Sequence, residues 1–399
     1  MTDATTAEQR AVATAKKPGG LEGVVAGETA ICAVDQDSLI YRGYEIADLA
    51  EHATFEEVAF LLLEGHKPSR EELLRFHAEL AGERRLPDAV VDFLLEMRRP
   101  LKEGAAVPMD VLRSAVSILG NLDLASQKNT PEANLRKSKR LLAKIPTIIG
   151  HMQNIIDGRE IVERETGGDE RLGHAANLIY LMTGEKPGEE ATRVMDVSLI
   201  LYAEHDYNAS TFASRVIAGT LSDMHGAVTG AIAALKGPLH GGANEAAMEM
   251  LKELVDEVEA GKTVEEWFAK ALAEKRKLMG FGHRVYKNGD HRAPILHALG
   301  RKVAERKQSE GNGFFVKLFE IGEHLQRLML EQKQIHPNVD YPCGMTYYTL
   351  GIPVPQYTPI FVASRVSGWC AHIMEQHANN RLIRPRADYI GPARRKWTA

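Results

Sequence analysis

At 399 residues, 44% apolar and 26% charged with only 6% aromatic, the chain has the composition of a folded globular protein, which excludes a disordered or low-complexity one. A length past about 250–300 residues predicts a core split into two domains, or one core with a substantial insertion. Forty-nine Lys plus Arg against 54 Asp plus Glu give a formal net charge of −5, which excludes nucleic-acid binding through bulk positive charge and leaves any anionic ligand to a local basic cluster.

Met1 to Lys17 mixes Asp3 and Glu8 with Ala and Thr and lacks an apolar stretch, so it reads as a short frayed tail rather than a secretory signal or transit peptide. Strand formers concentrate at Thr29 to Val34 and Leu39 to Tyr44, on either side of the turn formers Asp35-Gln36-Asp37, and predict one small β-hairpin as the whole sheet content. From about residue 45 helix punctuation takes over. Thr54-Phe55-Glu56-Glu57 and Ser69-Arg70-Glu71-Glu72 are capping boxes, and Gly65 and Gly82 sit where left-handed C-caps belong. Helices are predicted over 110–120, 133–157, 170–184, 189–205, 210–219, 222–236 and 243–260. A third capping box, Thr263-Val264-Glu265-Glu266, opens a helical run that stops at Gly280, and 293–308, 314–334, 343–350 and 359–377 complete an all-α fold. No self-similarity of 20–50 residues marks a solenoid. The longest apolar runs, such as Val58 to Leu63 and Val197 to Ala203, fall far short of the roughly 20 residues that span a bilayer. Cys32, Cys343 and Cys370 lie too far apart in sequence for a disulfide framework or a thiolate zinc site, which fits a reducing, cytoplasmic setting.

Proline and glycine gather at 236–244, 280–292, 336–344 and 351–359, and these loops are where chemistry is expected. In Gly237-Pro238-Leu239-His240-Gly241-Gly242-Ala243-Asn244-Glu245, His240 sits beside a helix N-terminus, whose positive end favours a neutral ring able to donate to an oxyanion; a solvated loop histidine is the alternative. Gly280-Phe281-Gly282-His283-Arg284-Val285-Tyr286-Lys287, with Arg292 beyond it, combines flexible glycines with one acid and two cations, as an anion site or a merely basic loop. Asp340 lies in a rigid loop bracketed by Pro337 and Pro342, as a general base or as the N-cap of the next helix. His205 belongs to a polar cluster, Glu204 to Ser210, at the end of an apolar helix, a place where a lone histidine is more often structural. Arg365 stands among Val362, Ala363, Val366, Gly368 and Trp369, so burying it demands a carboxylate from the protein or from a ligand. Arg381, Arg384 and Arg386 read alone as a solvated charged tail. Fifteen histidines raise a metal-dependent hydrolase as a competing class, but no H-E-x-x-H or similar ligand pair appears; a non-catalytic helical interaction protein is the other.

Taken jointly, the segments 237–245, 280–286 and Asn338-Val339-Asp340 resemble the citrate synthase family in residue and in order. The resemblance covers nearly the whole chain, from Tyr41-Arg42-Gly43-Tyr44-Glu45-Ile46 through 204–210 to Asn380-Arg381-Leu382-Ile383-Arg384-Pro385. It implies an almost wholly α-helical homodimer, with a large domain formed by 1–240 and 346–399 and a small domain, 241–345, that closes over oxaloacetate. By position it makes His240, His283 and Asp340 catalytic, and His205, Arg292, Arg365 and Arg384 oxaloacetate ligands, with Arg384 reaching the neighbouring subunit's site. It also places Gly282 and Lys287 against coenzyme A, and implies no metal and no permanently bound cofactor, acetyl-CoA being a co-substrate. The implied reaction is condensation of acetyl-CoA with oxaloacetate to citrate and CoA, in the tricarboxylic acid cycle; 2-methylcitrate synthases use propionyl-CoA with the same residues, so the acyl group stays open. Asp290-His291-Arg292 departs from the Asp-Pro-Arg of many relatives, which puts the aim of Arg292 in question. The chain also lacks the extra N-terminal domain of the long NADH-inhibited enzymes, implying the shorter dimeric type without that NADH site.

Overall fold

The structure, a computed structural model, describes residues 21, 23–36 and 38–397. The expected tail over Met1 to Lys17 lies outside the described residues, as does Asp37 of the expected turn. Two units separate, Met1–Ala30 and Ile31–Ala399. Of the first, Leu21 and 23–30 are described, with a turn closed by the Val24 N–H donating to the Leu21 carbonyl at 3.1 Å. The elements below belong to the second.

The sheet is one strand larger than expected. β1 (Cys32–Val34), β2 (Leu39–Tyr41) and β3 (Tyr44–Glu45) form an antiparallel sheet in the order β1-β2-β3, with Cys32 opposite Tyr41 and Tyr41 opposite Tyr44. Arg42 and Gly43 take φ of 49° and 91°, the pair of positive angles that a two-residue hairpin requires, and Arg-Gly here replaces the more recognisable Asn-Gly.

Seventeen α-helices follow among the described residues: α1 Ile46–His52, α2 Phe55–Glu64, α3 Arg70–Glu83, α4 Asp88–Glu96, α5 Arg98–Lys102, α6 Pro108–Leu122, α7 Pro131–Asp157, α8 His174–Thr183 and α9 Glu189–Tyr202; then α10 Ala209–Ala218, α11 Met224–Leu235, α12 Ala243–Glu259, α13 Val264–Ala273, α14 Arg292–Ser309, α15 Phe314–Lys333, α16 Asp340–Thr349 and α17 Tyr357–Ala378. The all-α expectation holds, and so do the capping boxes at Thr54, Ser69 and Thr263 and the left-handed cap at Gly65. Gly82 is not a cap: α3 runs on to Glu83, and its capping residue Arg84 stays right-handed while its guanidinium ties the chain to the carbonyls of Asp169 and Leu172. α13 stops at Ala273 rather than Gly280, because Lys275 turns left-handed and the Arg276 N–H returns to the Ala271 carbonyl. Three helices, α1, α4 and α5, were not expected; each starts without a side-chain cap.

Two boundaries matter for function. α9 ends at Tyr202, three residues before the expected end, and its last carbonyls are taken by side chains from distant segments. The Tyr41 hydroxyl donates to the Glu204 carbonyl at 2.8 Å, just past the helix, with the Ile200 carbonyl farther off at 3.3 Å; Arg292 Nη1 donates to Leu201 at 3.4 Å and Arg365 Nε to Tyr202 at 2.6 Å, so the orphan acceptors of a helix end become anchors for two arginines. α16 starts at Asp340 rather than at residue 343. α17 is buried on nearly all sides, packing against α2, α7, α9, α10 and α11, and carries Phe361 and Arg365 through the interior. α12 and α14 pack on α16, α13 and α15 pack on each other, and α14 also meets α9.

Candidate active site

Asp340 opens α16, but it is not the cap: the Asn338 side chain accepts the Asp340 N–H at 3.1 Å, freeing the Asp340 carboxylate to face inward. The Tyr202 hydroxyl donates to Asp340 Oδ1 at 2.8 Å. Burial pushes the Asp340 carboxyl up to about 6, against the opposing pull of Tyr202, Arg292 and Arg365. A carboxylate so raised is a stronger base than a solvated one and is ionised at neutral pH.

His240 lies in a turn that needs both of the glycines after it. A Cβ at Gly241 would lie 2.6 Å from the Leu235 side chain, and one at Gly242 2.8 Å from the Lys236 carbonyl. The Ser210 N–H donates to His240 Nε2 at 3.2 Å; an amide can only donate, so this nitrogen is bare and the ring proton sits on Nδ1. Burial first, and then the Arg365 charge, hold the ring down to about 3, the neutral form that the sequence led one to expect.

His283 is locked in the opposite tautomer. Its Nδ1 accepts the N–H groups of Val285 at 3.1 Å and Tyr286 at 3.2 Å, which places its proton on Nε2, and burial with the nearby Arg292 pushes it down to about 4. Tyr286 stacks on this ring, centroids 4.5 Å apart, while its hydroxyl meets His205 Nε2 at 3.0 Å. The His205 and His283 rings stand edge to face at 5.1 Å, and His205 is itself buried and held well below the usual histidine range by that burial and by Arg292.

Arg365 is fully buried, its guanidinium 4.8 Å above the Phe361 ring. Only Nε is engaged, on the Tyr202 carbonyl; Nη1 is buried without a partner, and no carboxylate of the described residues comes within ion-pair distance. Of the two partners the sequence allowed, a protein carboxylate acts on Arg365 only from beyond ion-pair distance among the described residues, that of Glu204. Arg292 is also buried, but it forms a bidentate pair with Asp290, Nε to Oδ1 at 2.9 Å and Nη2 to Oδ2 at 2.8 Å. Asp290 Oδ2 accepts the Val339 N–H as well, at 3.0 Å, joining Arg292 to the segment that leads into Asp340. The departure at His291 is anchored in its own way: its Nε2 lies 3.0 Å from the Gln36 carbonyl, a contact in place of proline's rigidity.

Gly282 takes φ +79°; its N–H donates to the His336 carbonyl at 2.8 Å, and its own carbonyl accepts from Asn338 at 2.9 Å. Lys287 is exposed, with Nζ on the Arg284 carbonyl. Arg384 lies exposed in the segment without regular secondary structure after α17 and has no hydrogen-bond or ion-pair partner among the described residues. The interior thus gathers His240, His205, His283, Asp340, Arg292 and Arg365, while Lys287 and Arg384 stand on the surface. Sequence reasoning missed the groups that aim them: Tyr202, Ser210, Asp290, Tyr286 and Asn338. Tyr202 carried no local signal, being one more large residue at the end of an apolar helix.

Two neutral imidazoles with protons on opposite nitrogens, a carboxylate of raised basicity and a buried guanidinium with an unpartnered Nη1 suit proton abstraction next to a carbonyl, followed by attack on a second, carboxylate-bearing substrate. Similarity agrees. The family model described as citrate synthase, C-terminal domain, matches residues 20–386. The chain is 44% identical over 379 residues to the 2-methylcitrate synthase of Shewanella oneidensis, covering 94% of this chain and 96% of that one. It is 42% identical over 378 residues to citrate synthase 2 of Bacillus subtilis, covering 95% and 97%. The solved ternary complex of carboxymethyl coenzyme A and oxaloacetate with the citrate synthase of Thermoplasma acidophilum superposes with a TM-score of 0.86 at 33% identity, over 95% of this chain and 97% of that one. The chain belongs to the citrate synthase family.

Proposed function

We propose that this enzyme condenses acetyl-CoA with oxaloacetate and hydrolyses the resulting citryl-CoA to citrate and CoA. The observation that carries the reading is the buried, half-satisfied guanidinium of Arg365 beside Asp340, a cation held ready for a substrate carboxylate. Asp340 takes a proton from the thioester methyl while His240 Nδ1–H donates to the thioester oxygen as it gains charge. The carbon nucleophile attacks the ketone, and His283 Nε2–H donates to the forming alkoxide. Arg365, Arg292 and His205 hold oxaloacetate, and Arg384 of a second copy in a homodimer completes the grip on its carboxylates. Gly282 and Lys287 meet the CoA chain and phosphates, and the segment 241–345 closes as a small domain to exclude water until condensation is done. The reaction runs with acetyl-CoA as co-substrate and no resident cofactor, in the cytoplasm; no described helix is long and apolar enough to cross a membrane.

The second reading, propionyl-CoA giving 2-methylcitrate, rests on the Shewanella relative, which bears that name. One methylene is worth about 1–3 kcal/mol of discrimination. The deciding measurement is CoA thiol release with oxaloacetate and either acyl-CoA: a higher kcat/KM for acetyl-CoA supports the first reading, a higher value for propionyl-CoA the second, and release from neither overturns both.

A further inference from the structure

We propose that Tyr202 is the positioning residue of the base: its hydroxyl holds Oδ1 of Asp340 and so leaves Oδ2 to take the methyl proton, while its carbonyl fixes the arginine that receives the substrate. The inference rests on the condensation reading above. Tyr202 is a fully buried side chain whose three polar and aromatic handles all end in the site. The hydroxyl donates to Asp340 Oδ1 at 2.8 Å, the carbonyl accepts from Arg365 Nε at 2.6 Å, and the ring lies 4.2 Å from that of Phe361, over which the Arg365 guanidinium stands. Base and anion ligand are therefore aimed by a single residue at the end of α9.

The hydroxyl sits among other buried polar groups. Ser198, one turn earlier on α9, lies 2.9 Å from the Tyr347 hydroxyl. Asp340, Cys343 and Tyr347 share one face of α16, which groups these buried polar side chains around the Tyr202 hydroxyl and its proton. Tyr202 does not transfer that proton. Burial and the adjacent Asp340 hold its phenol well above the usual tyrosine range, so a C–H bond breaks in the thioester, an O–H bond forms at Asp340 Oδ2, and Tyr202 stays protonated throughout. The groups facing Asp340 are Tyr202 from α9, Asp290 from the loop before α14, Arg292 from its first residue, Arg365 from α17 and Cys343 from its own helix. Among these Tyr202 is the one hydrogen-bonded to the carboxylate side chain.

The test is the pH profile of kcat/KM from pH 5 to 9 in the parent, Asp340→Asn and Tyr202→Phe enzymes, read by CoA release. Loss of a hydrogen bond to the ionised form raises a carboxyl pKa, so the acidic limb of Tyr202→Phe should move up by about one pH unit, with activity about fivefold lower at pH 6 and within about twofold of the parent at pH 8.5. Site-specific 3,5-difluorotyrosine at 202, a stronger donor of nearly unchanged shape, should move the limb down, and this arm stands even where the phenylalanine variant does not fold. An active parent with inactive Asp340→Asn and a limb that stays put in both Tyr202 variants, or a loss equal at every pH, overturns the role of Tyr202 alone. A parent without activity overturns the condensation reading, and this inference with it.

Discussion

Asp340 is the residue on which chemistry and stability pull in opposite directions. A general base contributes about 10²–10⁴-fold, so Asp340→Asn should lower kcat by that range in a CoA-release assay. An acid whose pKa is higher in the folded chain binds protons more tightly there, so its ionisation lowers stability as pH rises through roughly 4 to 6. Asp340→Asn should therefore melt at the same temperature as the parent or higher at pH 7.5, and a lower Tm would contradict the assigned burial cost. Because His240 and His283 are held to about 3 and 4, neither titrates near neutrality, and the acidic limb of the parent should be a single ionisation near pH 6. Arg365 follows the same logic: a buried guanidinium with an unpartnered Nη1 is poorly repaid without ligand, so Arg365→Gln should cut kcat/KM for oxaloacetate by about a hundredfold or more while leaving Tm unchanged or raised.

At the scale of elements, legibility followed the range of the interaction. The capping boxes at Thr54, Ser69 and Thr263 were readable because both partners lie within four residues. The early stop of α9 was not, since it depends on Tyr41, Arg292 and Arg365, up to 163 residues away. Asp340 was recognised as a candidate, yet its alternative role as the N-cap fell to Val339, with Asn338 accepting the Asp340 N–H, and no propensity foretold that arrangement. The Asp340 partner Tyr202, 138 residues distant, could be found only in the fold. One glycine joins these elements: Gly280, with φ +82°, has no room for a Cβ, which would lie 3.0 Å from the Tyr341 side chain at the start of α16. Gly280→Ala should lower stability by more than about 1 kcal/mol in urea and weaken kcat as well, through displacement of Asp340.

For the whole molecule, the proposed sharing of Arg384 between subunits has a numerical signature. If each pocket takes Asp340 from one chain and Arg384 from the other, mixing inactive Asp340→Asn and Arg384→Ala subunits and allowing exchange should restore about a quarter of parental activity, because half the dimers are mixed and each holds one intact site. No restoration would confine Arg384 to its own chain. The end of α9 adds a temporal consequence. Its last carbonyls draw in side chains from near residue 41, residue 292 and residue 365, so the pocket has no local precursor. A nascent chain released before α17 holds His205, His240, His283 and Asp340 but lacks the guanidinium that meets the Tyr202 carbonyl. Under the proposed function, competence to bind oxaloacetate arrives only when the longest loops have closed, and recovery of binding during refolding should report completion of the fold rather than of any one part.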